Sequence, residues 1–300
     1  MSQKENILAI HSGHDASVCL WNDYNQIAIY KEERLNRKKN WGQAFPLLSF
    51  NKIKDHISIK DIDILILSRG YFENKFYYKN ALYGKKISRI ILYLYLLLGI
   101  RKSSSLNGLL YLNQTDDEKK VFNQNKFIQE FGFKKNIKII FSDHHYAHAL
   151  PMLFFNPNWN NALLYTSDGG GDGINYSFTY FNEKKLKKIY GYSDLLREDF
   201  KPDSLGQMYS IVTKLCGFTP NRHEGKITGL AAFGEPKYKD TIASLYEIDD
   251  IGRIIPKFKS YRTLYEILND IFKKDGREII SASAQSALEE LTVKSIKKIK

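Results

Sequence analysis

The sequence predicts a mixed α/β protein whose two halves open in the same way. Three short runs rich in β-branched and aromatic residues, ILAIHS (7–12), ASVCLWN (16–22) and QIAIYKEER (26–34), follow one another at hairpin spacing. Three more, NALLYTSD (161–168), NYSFTYF (175–181) and KKIYGYS (187–193), repeat that arrangement in the second half. Between the two sets, apolar strand runs alternate with helical stretches, the pattern of a mixed sheet layered with helices. The repeat is one of topology, not of sequence.

Taken in order, the first set reads as a three-stranded meander. A helix is expected from about Pro46 into Lys54, a strand at IDILILS (62–68), helices near 82–98 and 116–131, and a strand at NIKIIFS (136–142). HHYAHA (144–149) begins another helix, and the second meander follows, with a Gly-rich turn between its first two strands. SLGQMYSIVTKLCG (204–217) and SASAQSALEELTVKSIKKIK (281–300) read as further helices. Two lobes, each opened by a meander whose first turn carries small or acidic residues, suggest the duplicated actin-like (ribonuclease-H-like, ASKHA) ATPase architecture. There a nucleotide lies between the lobes and the two hairpin turns face its phosphates. Residues 1–158 then form a complete first lobe, with a helical insertion at about 70–115. Residues 159–300 start a second lobe and are expected to stop before its final strands. The terminal helix is expected to lack the strands it should pack on, so the isolated chain should expose apolar surface and associate.

The composition excludes a disordered chain: 43% of the 300 residues are hydrophobic and 26% charged. Lys+Arg 45 against Asp+Glu 33 leaves +12, which favours anionic partners such as phosphorylated small molecules or nucleic acid. Runs such as KKLKK (184–188) and KSIKKIK (294–300) read equally well as solvated faces. The only cysteines, Cys19 and Cys216, sit in apolar runs, so a disulfide framework is not expected and a reducing compartment, the cytoplasm, is the simplest address. The N-terminus lacks the apolar core and small-residue cleavage site of a signal peptide. The most apolar segment, IILYLYLLLGI (90–100), is shorter than the ~20 residues of a membrane span and reads as a buried helix.

Several short motifs carry residue types suited to chemistry. His144 and His148 are four residues apart, so on a helix both imidazoles leave the same face and can share one metal, whereas His145 points elsewhere. The HExxH glutamate of a metalloprotease is absent. TSDGGGDG (166–173) ends a strand with Asp168, a hard oxygen ligand, followed by Gly169, Gly170 and Gly171, whose amides can approach a phosphate; alone it reads first as a plain hairpin, and its value comes from combination with the histidines. HSGHDAS (11–17) is the corresponding turn of the first half, where His14 and Asp15 can orient a phosphate or relay a proton, or simply cap the turn. EERLNRKK (32–39) is a solvated face or places Arg34, Arg37 and Lys38 to clamp an anion. EGKITGLAAFGEP (224–236) reads as a loop permitting close ligand approach, with Lys226 as a phosphate-binding point charge; it is not a P-loop.

In this order, HDAS, EERLNRKK, HHYAHA, LLYTSDGGGDG, SLGQMYS, GKITGLAAFGEP and ASAQ together resemble the NodU/CmcH-type carbamoyltransferases across nearly the whole chain. The resemblance implies metal-dependent O-carbamoyl transfer. A YrdC-like domain makes carbamoyl-adenylate from carbamoyl phosphate and ATP, and the actin-like domain hands the carbamoyl group to a hydroxyl of a sugar, nodulation factor or antibiotic precursor. By position, His144, His148 and Asp168 are implied metal ligands, for Fe(II) first and Mn(II) or Zn(II) next, with a further aspartate expected beyond residue 300. His14 and Asp15 are implied to lie beside the carbamoyl group, and Lys226 to bind an anion. The YrdC-like domain and the rest of the second lobe are expected in a longer chain or a partner chain. Two rival readings are threonylcarbamoyl transfer to tRNA and a non-catalytic nucleotide- or metal-binding module.

Overall fold

Period-two alternation of apolar residues builds the first sheet. In the computed structural model, which describes residues 4–42, 44–68, 72–78, 122–171, 174–191 and 203–299, β1 (Asn6–His11), β2 (Ser17–Asn22) and β3 (Asn25–Lys31) form the expected antiparallel meander. β4 (Ile64–Ser68) and β5 (Lys138–Ser142) then add in parallel, so the sheet runs β3-β2-β1-β4-β5. The register sets Ile10 opposite both Val18 and Leu67, and all three are buried, which pins one face of the sheet to the core. The chain divides into two units, Met1–Ala147 with Ser193–Glu198 and His148–Tyr192 with Asp199–Lys300.

Aromatic side chains fill the core of the first unit. Phe127, fully buried on the helix α3 (Gln124–Phe131), meets Phe45, Phe72, Phe76, Phe122, Phe131 and Phe133 at centroid distances of 4.6–6.3 Å. Asn123 caps that helix by accepting the Lys126 amide at 3.1 Å, and Gly132 ends it at φ 77°. The expected helix at 82–98, the segment 116–121 and nearly all of the expected insertion lie outside the described residues.

The run expected as strand to residue 34 is corrected. β3 stops at Lys31, and α1 (Glu32–Asn36) begins. Its first residue, Glu32, is 3% exposed and accepts the backbone amides of Leu48 at 3.1 Å and Ser49 at 2.8 Å. These are first-turn amides of α2 (Leu47–Ile53), whose N-cap, Pro46, makes no side-chain capping bond.

In the second unit, β6 (Asn161–Gly171), β7 (Ile174–Asn182) and β8 (Lys185–Tyr190) form another antiparallel meander in the order β6-β7-β8. β1 of the first unit carries β4 along its far side, whereas β6 carries no strand there among the described residues. The Gly-rich segment is not simply a turn. Gly169, Gly170 and Gly171 belong to β6, and the pairing slips between Ser167 and Gly171, so residues 168–170 form a bulge. The alternation of the strand ends at Ser167, and glycine tolerates the irregular backbone beyond it, with Gly170 at φ 151°.

α4 (His144–Phe155) precedes this meander, and α5 (Leu205–Leu215), α6 (Glu224–Ala231), α7 (Lys239–Ala243) and the hairpin of β9 (Tyr246–Ile248) and β10 (Ile254–Pro256) follow it. EGKITGLA is therefore a helix, not the expected loop: Ile227 is fully buried in the core, and Gly225 and Gly229 face open space, so their low propensity is overridden by packing. The last helix, α8 (Tyr261–Lys298), is broken at Gly276 (φ 81°, ψ −171°). Leu264, Leu268, Ile280, Ala284 and Leu291 of α8 pack with Met208 and Val212 of α5, Ile227 of α6 and Tyr176 and Phe178 of β7, while Val293 and Ile296 remain partly exposed. Among the described residues, no helix is long and apolar enough to cross a membrane, and Cys19 and Cys216 are free thiols.

Candidate metal centre

Asp143 starts α4 by accepting the Tyr146 amide at 2.8 Å on its side chain and the Ala147 amide at 2.9 Å on its carbonyl. The helical spacing then aligns His144 and His148 on one face and turns His145 inward, where it is 1% exposed. Asp168 stands at the β6 bulge. Its Oδ1 accepts the Gly169 amide at 2.6 Å, and its Oδ2 lies 3.5 Å from His148 Nε2. One ligand atom from each of His144, His148 and Asp168 falls within 4.8 Å of the others. Two neutral imidazoles and a carboxylate in that space are a donor set able to hold one divalent transition metal. His148 and Asp168 are partly open, with 54% and 34% of their side chains exposed.

The bulge has direct support from α5. Gly206 faces the backbone of Asp168 and Gly169 so closely that a Cβ would stand 3.0 Å from the Gly169 nitrogen and 3.1 Å from the Asp168 carbonyl. Ser204 and Gln207 meet the carbonyls of the same two residues. Sequence reasoning assigned none of these three a role. Their signal was available only as a Ser-x-x-Gln cap opening SLGQMYS.

The turn after β1 gathers the first unit's candidate residues. His14 Nδ1 lies 3.0 Å from Asp15 Oδ2, and Asp15 takes φ 58°. His11, a residue not singled out from sequence, bonds through Nε2 to the His14 carbonyl at 3.0 Å, while the Ser12 amide donates to Ser68 Oγ at 3.1 Å. Burial pushes His11 below the usual histidine range; the charges of His14 and His144 act the same way, against its bond to the His14 carbonyl and the Asp15 carboxylate. The turn is braced from behind, since Ala16 donates to the Trp41 carbonyl at 3.0 Å and a Cβ on Gly42 would come within 2.0 Å of the Gly13 oxygen.

The remaining candidates are exposed cations and the glycines of the bulge. Arg34 is exposed with Nε 3.6 Å from Glu33, Arg37 ends α1 in the left-handed conformation, and Lys38 is exposed with its amide on Asn36. Lys226 is exposed on α6, its ammonium 4.9 Å from the centre of the Phe218 ring. Gly169, Gly170 and Gly171 form the bulge beside Asp168.

A carboxylate at a strand bulge near two helical histidines, after a five-stranded mixed sheet and within a second meander, defines a class of α/β protein with a metal-type donor set. The chain matches the carbamoyltransferase N-terminus family over residues 6–298 and belongs to that family, of NodU type. It is 27% identical to the uncharacterized protein MJ1051 of Methanocaldococcus jannaschii over 97% of this chain and 47% of that protein. To the uncharacterized protein sll1178 of Synechocystis it is 30% identical over 76% of this chain and 34% of that protein. To the nodulation protein NolNO of Sinorhizobium fredii the identity is 26%, over 80% of this chain and 31% of that protein. The chain thus spans less than half the length of these curated relatives. A solved structure, YeaZ from Pseudomonas aeruginosa, aligns with 62% of this chain and 65% of its own at 9% identity and a TM-score of 0.26, too slight a likeness to bear on the fold.

Proposed function

We propose that this chain is the N-terminal part of an O-carbamoyltransferase that delivers the carbamoyl group of carbamoyl-adenylate, made from carbamoyl phosphate and ATP, to a hydroxyl of a sugar or other small molecule. The observation that carries this is the His144, His148 and Asp168 donor set in a chain of the carbamoyltransferase family. Those three residues would hold a divalent metal, Fe(II) in preference to Mn(II) or Zn(II), which when bound supplies Lewis-acid polarisation of an oxygen on the donor.

The chain's own residues do the rest. The Asp15 carboxylate accepts the Nδ1 proton of His14, which leaves Nε2 of His14 as the base for the proton of the attacking hydroxyl. The Gly170 backbone amide, in a bulge that carries no side chain beyond Asp168, would approach the phosphate of the adenylate, the Gly169 amide being held by Asp168 Oδ1. Arg34, Lys38 and Lys226 are exposed cations that draw anionic substrates toward the protein. An actin-like second lobe with a further aspartate ligand and a YrdC-like domain, in a longer chain or a partner chain, would complete this reading, which the greater length of the relatives supports.

The test joins the chain to that continuation and measures AMP release from carbamoyl phosphate and ATP as a function of added hydroxyl acceptor. Acceptor-dependent release is expected, falling about a hundredfold or more in His14→Ala and in His148→Ala. Unchanged release in both variants would sink this reading.

A further inference from the structure

The slip in pairing between Ser167 and Gly171 takes Asp168, Gly169 and Gly170 out of the β6–β7 ladder. Their backbone carbonyls therefore need partners from elsewhere. The N-terminus of α5 supplies them for Asp168 and Gly169. The Ser204 hydroxyl stands 3.2 Å from the Asp168 carbonyl and 3.3 Å from that of Gly169, and the Gln207 side-chain amide donates to the Gly169 carbonyl at 2.9 Å.

Ser204 and Gln207 occupy the two positions of a capping box, and half of that box forms: the Ser204 hydroxyl accepts the Gln207 amide at 3.0 Å. In the usual box the Gln side chain returns to the amide of the capping residue. Here the Ser204 amide is directed at the Tyr261 hydroxyl at 3.4 Å, and the Gln207 side chain is spent on Gly169. The consequence falls on the two peptide planes around Gly169. One has its carbonyl held by Ser204 and its N–H on Asp168 Oδ1 at 2.6 Å; the other has its carbonyl held by Gln207. With Oδ1 tied back to the chain in this way, Oδ2 is the oxygen presented to His148, 3.5 Å away.

We propose that Gln207 is a positioning residue for the Asp168 carboxylate, acting through the Gly169 carbonyl to aim Oδ2 at the two histidines. This rests on the reading of His144, His148 and Asp168 as metal ligands. Groups that hold a ligand from behind govern affinity without touching the ion, and losing one typically costs 10–100-fold.

The probe is Co(II) alone, titrated into the 300-residue chain and followed by its visible absorption, with no substrate and no turnover. Gln207→Met keeps the length and flexibility of the side chain and removes the donor. It is expected to weaken Co(II) binding about tenfold and to shift the absorption band of the saturated protein, because the carboxylate then binds from a different direction. Ser204→Ala is expected to act in the same direction, so the inference does not hang on one variant's fold. His148→Ala separates the two levels of the argument. If wild type and His148→Ala take up Co(II) alike, the metal reading itself fails. If wild type binds, His148→Ala does not, and both Gln207→Met and Ser204→Ala keep wild-type affinity and spectrum, the positioning role is overturned.

Discussion

His148 Nε2 and Asp168 Oδ2 stand 3.5 Å apart, one on a helix and the other on a strand bulge. Two ligands about 2.1 Å from a shared ion at a tetrahedral angle are separated by about 3.4 Å, so this spacing suits a bridged pair. It is also the spacing of a loose ion pair to a protonated histidine. Metal content after dialysis decides between them. His148→Ala is expected to abolish stoichiometric retention, measured by elemental analysis. His145→Ala, which removes a ring that is 1% exposed, should lower the melting temperature and leave metal stoichiometry intact, whereas equal retention by both variants would remove the ligand assignment.

The aromatic core of the first unit makes a separate prediction about stability. Phe127 has no exposed surface and packs against five rings outside its own helix, those of Phe45, Phe72, Phe76, Phe122 and Phe133. Phe127→Ala is expected to cost about 3–5 kcal/mol, read as a lower urea midpoint, while His144, His148 and Asp168 remain chemically unchanged. A cost below about 1 kcal/mol would mean that this cluster is not the core.

What could be read in advance depended on sequence distance. The strands showed themselves through local alternation, and His144 and His148 through a four-residue spacing that only a helix converts into proximity. Asp168 was visible because the strand's apolar run ended there, although β6 itself continues through a bulge to Gly171. Gln207 was not, since its partner Gly169 lies 38 positions away and the local pattern pointed to an ordinary cap. Glycines misled twice: in β6 they continue a strand through a bulge, and in α6 the burial of Ile227 outweighs two helix-weakening positions.

Glu290 on α8 gives a pH signature. Its carboxyl is held down to about 2 by Lys239 of α7 and Lys294 of α8. A carboxylate with a depressed folded pKa contributes stability above its unfolded value of about 4.3 and loses it as pH falls toward 2. Glu290→Gln is therefore expected to melt slightly below wild type at pH 7, with the two melting curves converging as pH approaches 2. The effect should shrink in high salt, because the group is on the surface. A difference between the proteins that grows on acidification would reverse the sign and reject the assignment.

Glu32 separates structural from ligand-binding roles in the EERLNRKK segment. It is 3% exposed, and its two oxygens take the amides of Leu48 and Ser49 at the start of α2. Hydrogen bonds to a charged group are worth about 1.5–3 kcal/mol, and truncation also leaves buried donors without an acceptor. Glu32→Ala is expected to destabilise the protein by about that amount, measured by urea unfolding. Glu32→Gln, which retains one acceptor oxygen but turns an amide toward the second N–H, should fall between it and wild type. Arg34→Ala, at a side chain 76% exposed, should stay within about 0.5 kcal/mol of wild type. If Glu32→Ala unfolds like wild type, the carboxylate is not what holds α2 to the end of β3. The charge-rich segment is then better explained by what binds to it.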